Sequence, residues 1–144
     1  MASGSGGNVA ILAIQPQYAE AIISGHKKVE FRKKTFRRKV EYVVMYVSNP
    51  IKKIIGFFRV SHITEASPAE LWSRFQEVGG ITKHTFQEYY NGVTQAVAIG
   101  IDEIVVLRRP LSLETLCGSL AVPQSFVYLP KDLFELIKKE LRKK

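Results

Sequence analysis

Gly25-His26-Lys27-Lys28-Val29-Glu30-Phe31-Arg32 packs a bend, a strand and several charges into eight residues. Gly25 suits the left-handed backbone that stops a helix. Beyond it the residues alternate: Val29 and Phe31 point to one face of a strand, Lys28, Glu30 and Arg32 to the other. Working upstream, Pro16 fits the first position of a helix, and Tyr18, Ala19, Ile22 and Ile23 form its apolar stripe. Before the helix, Val9–Ile14 is an unbroken apolar run that reads as a buried strand.

Downstream, Lys33–Lys39 is a basic loop interrupted by Thr35 and Phe36, and Val40–Ser48 resumes as a strand rich in Val and Tyr. Asn49-Pro50 marks a turn. Ile54–Ile63 is a further strand, with Gly56 at a bulge. Ser67-Pro68-Ala69-Glu70 combines an N-cap serine, a first-turn proline and a capping-box glutamate. Leu71, Trp72, Phe75 and Val78 follow at helical spacing up to Gly79-Gly80. Thr82 opens a short helix carrying Phe86, Tyr89 and Tyr90, which closes at Asn91-Gly92; with Trp72 and Phe75 these aromatics read as core, and otherwise as a stacking platform. Thr94–Leu107 is a long strand, and Lys131–Arg142 is a C-terminal helix. The pattern predicts an α+β fold: a small β-barrel of about five or six mostly antiparallel or mixed strands, with helices inserted between them. Residues 1–8 read as a disordered tail or appended tag, and residues 9–144 as one domain.

The chain has 144 residues, of which 46% are hydrophobic and 24% charged, a balance that excludes global disorder. No apolar run approaches the ~20 residues of a membrane span, so no membrane partner is expected. Cys117 is the single cysteine, so no intrachain disulfide or cysteine zinc cluster can form; a reducing cytoplasm is the expected compartment. His26, His62 and His84 are too scattered for a local metal motif, and no metal or cofactor is expected.

The formal net charge is +8, but the location of that charge is more informative. Gly25–Lys39 carries eight bases and one acid, and Lys138–Lys144 five bases and one acid; the remainder is net −3. An acidic body with concentrated cations points to a polyanionic partner, most simply nucleic acid.

Three readings of Lys27, Glu30 and Arg32 stand side by side. Glu30 and Arg32 share a strand face about 7 Å apart. The carboxylate can accept from the amino group of a base while Arg32 donates to a phosphate or carbonyl. A desolvated Lys27 has a lowered pKa and can act as a catalytic base beside Glu30. The trio can also be a structural ion network. In the loop, Lys33, Lys34, Arg37, Arg38 and Lys39 suit phosphate contacts, and Phe36 either stacks on a base or packs inward. Ser48 and Asn49 offer hydrogen bonds next to Lys52 and Lys53, which equally protect a hairpin edge. Together with Lys28, these residues form the candidate RNA or nucleotide site.

The octapeptide resembles the G-x-K-x-x-E-x-R signature of ASCH domains, members of the PUA-like superfamily. Ala13-Ile14-Gln15-Pro16-Gln17-Tyr18-Ala19 is similar to the family's strand-to-helix passage, where many members have Lys in place of Gln15. Tyr46-Val47-Ser48-Asn49-Pro50 with Lys52-Lys53 and Gly56 is similar to its second strand-turn-strand unit. Pro123-Gln124-Ser125-Phe126 resembles a late segment of single-domain archaeal and bacterial members. The resemblance spans Val9 to Leu129. It implies a PUA-like barrel and an RNA or nucleotide ligand in a cleft between the first helix and the barrel. RNA is favoured as partner, with duplex DNA left open. One bacterial branch hydrolyses acetylcytidine with a lysine and a threonine of the motif. The lysine falls on Lys27 and the threonine on Glu30, where a carboxylate replaces the hydroxyl. A metal-independent amidohydrolase or ribonuclease is therefore the alternative to a binding domain without turnover.

Overall fold

In the computed structural model, residues 8–116 and 126–140 are described. The readings of residues 1–7, of Cys117, of Pro123-Gln124-Ser125 and of Leu141–Lys144 lie outside them. Six strands form one mixed sheet: β1 (Asn8–Ile14), β2 (Val29–Arg32), β3 (Val40–Val47), β4 (Lys53–Ala66), β5 (Ala96–Leu111) and β6 (Phe126–Leu129). Their order across the sheet is β2-β5-β4-β3-β1-β6. Only β1 and β3 run parallel; the other pairs are antiparallel. The described helices are α1 (Pro16–Ser24), α2 (Pro68–Phe75), α3 (Lys83–Tyr89), α4 (Leu113–Leu116) and α5 (Lys131–Lys139). None is long and apolar enough to cross a membrane.

β1 shows no alternation because both of its faces are covered. Ala10, Leu12 and Ile14 pack with Ala19 and Ile22 of α1, whereas Val9 and Ile11 pack with Phe134 and Ile137 of α5. A third cluster joins Val29 and Phe31 of β2 to Leu71 of α2 and to Phe86 and Tyr90 at α3. This is the apolar face that the alternation of Val29 and Phe31 predicts. Gly56 does sit at a register shift in both of its pairings. A β-carbon there would run into the Val105 carbonyl oxygen. β5 extends four residues past the expected Leu107, and α2 stops at Phe75 instead of reaching Gly79.

The α+β class and mixed sheet are as expected; closure into a barrel is not. β2 and β6 are the sheet's two edges, and no backbone pairing joins them among the described residues. β2 is only four residues long, after which the chain leaves as the basic loop. Side chains bridge the gap instead. Phe36 packs edge to face on Phe126 with ring centroids 4.9 Å apart. Tyr128 Oη accepts the backbone N–H groups of Arg37 at 2.9 Å and Arg38 at 3.2 Å.

Candidate nucleotide-binding cleft

The site is built by the passage from α1 to β2. Gly25 adopts φ 89° and its N–H donates to Ile22 O, closing the helix. Lys27 N–H donates back to Ala21 O at 3.0 Å, and Lys28 N–H to Val78 O at 2.7 Å. These bonds set the start of β2, so that Glu30 and Arg32 point opposite to the buried Val29 and Phe31.

Glu30 and Arg32 thereby face a cavity of about 580 Å³, and Lys27 lines it with them. The cavity lies between the start of α1 and the sheet: Ala13 and Ile14 of β1, Tyr18 of α1 and Ser48 after β3 form one side, and Thr85 and Tyr89 of α3 the other. Lys27 is only 2% exposed and Glu30 6%. Lys27 Nζ donates to Gly79 O at 2.6 Å and stands 3.7 Å from Glu30 Oε1. The Tyr18 and Phe31 ring centroids lie 5.2 and 5.1 Å from the same ammonium. Arg32 reaches Glu30 Oε2 at 3.6 Å and donates to Ala13 O at 3.1 Å. Behind the row, Tyr90 Oη donates to Arg32 O at 2.7 Å and to Val97 O at 3.2 Å, tying β2 to β5.

Burial pushes the Lys27 ammonium below its ordinary pKa, more strongly than the neighbouring Glu30 carboxylate holds it up. Between that lowered value and the ordinary 10.5, the unfolded chain keeps a proton that the folded chain has lost. Stability therefore rises with pH through this window. The rise ends at about pH 10, where unfolded tyrosines ionise. Tyr18, Tyr89 and Tyr90 are all raised by burial, so their contribution falls as pH climbs further. Chemical unfolding between pH 7 and 10 will show the rise in the wild type and its absence in Lys27→Met.

Of the residues expected at the site, Lys27, Glu30, Arg32 and Ser48 meet at this cavity. Lys33 reaches its edge, with Nζ 4.8 Å from the Tyr89 ring centroid. Lys28, Lys34, Arg37, Arg38, Asn49, Lys52 and Lys53 are exposed and do not line it. Arg38 lies over the Tyr128 ring, 4.2 Å from its centroid. Phe36 is a correction: at 8% exposure and packed on Phe126, it belongs to the core and offers no open face to a base.

Sequence reasoning missed the walls. Tyr18 reads only as a member of an apolar helical stripe, and Tyr89 chiefly as core with a stacking platform as the lesser reading, yet both line the cavity. Thr85 carried no signal beyond its helix. Gln15 and Gln17 also line it, Gln17 Nε2 donating to Gln15 Oε1 at 2.7 Å. For Gln15 the hint was the resemblance.

The family model for the ASCH domain matches residues 12–105. A protein of Zymomonas mobilis named an ASCH domain-containing ribonuclease is 28% identical over 127 residues, 85% of this chain and 85% of its own length. Ribosomal protein uL22 of Ureaplasma parvum is 27% identical over 120 residues, which are 83% of this chain but only 38% of that protein. The crystal structure of ASCH from Zymomonas mobilis superposes with a TM-score of 0.84 at 27% identity, covering 91% of this chain and 94% of that one. The N-terminal domain of Staphylothermus marinus McrB shares the fold, with a TM-score of 0.60 at 14% identity over 91% of this chain and 93% of that one.

Proposed function

The chain belongs to the ASCH domain family, and from that premise we propose that it binds RNA, seating one nucleotide in the cavity and flanking phosphates on the Lys33–Lys39 loop. The observation that carries this reading is the row Lys27, Glu30 and Arg32 facing one cavity with two tyrosines in its walls. At about 580 Å³ the space is in the range of small-molecule sites. Aromatic walls and mixed charge suit a base and its sugar better than a purely apolar ligand. A cytoplasmic location accords with such a partner.

The loop makes a measurable contribution in this reading. With four or five phosphates neutralised, affinity for a short single-stranded RNA will fall with a log–log salt slope of about −3 to −3.5. Replacing Arg37 and Arg38 together with alanine will bring the slope about 1.4 closer to zero. Fluorescence anisotropy across a salt series measures both; a wild-type slope near zero removes the loop from the interface.

RNA cleavage is the second reading, favoured by the name of the Zymomonas relative. Lys27, 2% exposed and tied to Gly79 O, is poorly placed to reach a substrate hydroxyl even though burial lowers its pKa. Glu30 is the better acceptor for a 2′-hydroxyl proton, with Arg32 stabilising negative charge at the phosphorus. Hydrolysis of an acetylated base is less well supported, because Glu30 stands where that chemistry places a hydroxyl. Incubating the protein with short RNA and with acetylcytidine separates these activities from binding without turnover. Product formation that is lost in Glu30→Gln establishes the enzyme; tight binding with intact substrate establishes the binding domain.

A further inference from the structure

We infer that the cavity selects guanine over the other bases through Glu30 and Arg32, an inference that rests on the RNA reading above. Glu30 is nearly buried, yet its two oxygens lie 3.7 and 3.6 Å from Lys27 Nζ and Arg32 Nη1. A closed charge-assisted hydrogen bond is shorter, about 2.7–2.9 Å. Both pairs are longer than that, and a carboxylate with about four acceptor sites keeps capacity toward the cavity that it lines. A buried carboxylate with open lone pairs is best satisfied by donors brought by the ligand.

The bases differ in how many adjacent donors they bring. Guanine presents N1–H and N2–H side by side, with O6 as a neighbouring acceptor. Adenine and cytosine each offer one amino group beside a ring acceptor, and uracil one N–H between two carbonyls. Guanine alone gives both Glu30 oxygens a donor and leaves O6 for a guanidinium donor of Arg32. Any other base brings a donor to only one oxygen of the desolvated carboxylate. Sites built around such a pair reject analogues lacking it. Lys27 is less accessible to the base, because it is 2% exposed and one of its donors is spent on Gly79 O.

The test displaces a labelled short RNA with guanosine, inosine, adenosine, cytidine and uridine 5′-monophosphates. Guanosine monophosphate will bind about tenfold to a hundredfold more tightly than the adenosine, cytidine and uridine nucleotides. Inosine monophosphate lacks only the 2-amino group and will lose about tenfold. Glu30→Gln, checked for folding by circular dichroism, will bring guanosine monophosphate down to the level of the other nucleotides. RNA binding with equal affinity for all nucleotides, or with inosine equal to guanosine, overturns the assignment alone. The inosine comparison needs no variant, so it stands even if Glu30→Gln fails to fold. Failure of any RNA to bind overturns the RNA reading and the base assignment together.

Discussion

Glu30→Ala will lower the unfolding free energy by about 3 kcal/mol, seen as a fall in Tm of about 6–12 °C. Lys27 explains the size of the effect. Its ammonium is 2% exposed, and its attachments are one carbonyl dipole at Gly79, two aromatic faces and the Glu30 carboxylate. Removing the carboxylate leaves the ammonium buried without a counter-charge, next to the like charge of Arg32. Losing one partner of a buried pair costs far more than the intact pair contributes. Lys27→Met in the same background tests the cause, because it deletes the stranded charge while filling similar volume. The double variant Lys27→Met/Glu30→Ala will be more stable than Glu30→Ala alone by at least about 1 kcal/mol. Urea denaturation of the three variants and the wild type completes the cycle. A loss below about 0.5 kcal/mol for Glu30→Ala would mean that water already screens the row.

The same residues show what the sequence makes legible. The order of strand, helix, glycine stop and alternating strand from Val9 to Arg32 follows from local rules, and each part is found. Val29 and Phe31 alternate with Glu30 and Arg32 because one face of β2 meets a core, with Phe31 also at the cavity wall, and the other face meets the polar cavity. That contrast is written in the residue types. The burial of Lys27 is not. Its partner Gly79 lies 52 positions away, and Gly79-Gly80 reads locally as nothing more than a helix stop. Tyr18 and Tyr89 are hidden for a related reason: a helical stripe looks alike whether it abuts a core or the wall of a cavity.

Closure of the sheet is likewise non-local. It depends on whether β2 and β6, at opposite ends of the strand order, find each other. The four residues of β2 give too short an edge, and Phe36 turns inward to fill the space between them. The charge count of the loop is legible in the sequence, whereas its direction is not. Lys33 approaches the cavity through Tyr89, while Arg38 settles on Tyr128. The cations thus extend from the cavity toward β6 instead of converging at one opening.

Gly80→Ala will cost about 2–4 kcal/mol in unfolding free energy and will weaken RNA binding with it. Two causes add. Gly80 has φ +61°, a conformation that alanine adopts only with strain, and a β-carbon built there lies 2.6 Å from Lys27 Cβ and 3.2 Å from Lys27 Cα. Those atoms belong to the stem and backbone of Lys27 and cannot swing aside as a side-chain tip would. The loop must retreat, drawing Gly79 O away from Lys27 Nζ and loosening the ammonium that faces Glu30. Gly92 separates the two causes, since its φ is +80° but nothing lies within 4 Å of the point where a β-carbon would stand. Gly92→Ala will show the backbone strain alone, about 1 kcal/mol. Lys27→Ala will not rescue Gly80→Ala, because the clash is with the β-carbon that alanine retains. Thermal unfolding and RNA anisotropy on the three variants measure both effects. Equal losses at Gly80 and Gly92, with RNA affinity unchanged, would show that the loop does not seat Lys27 and that the row facing the cavity is held from the strand side alone.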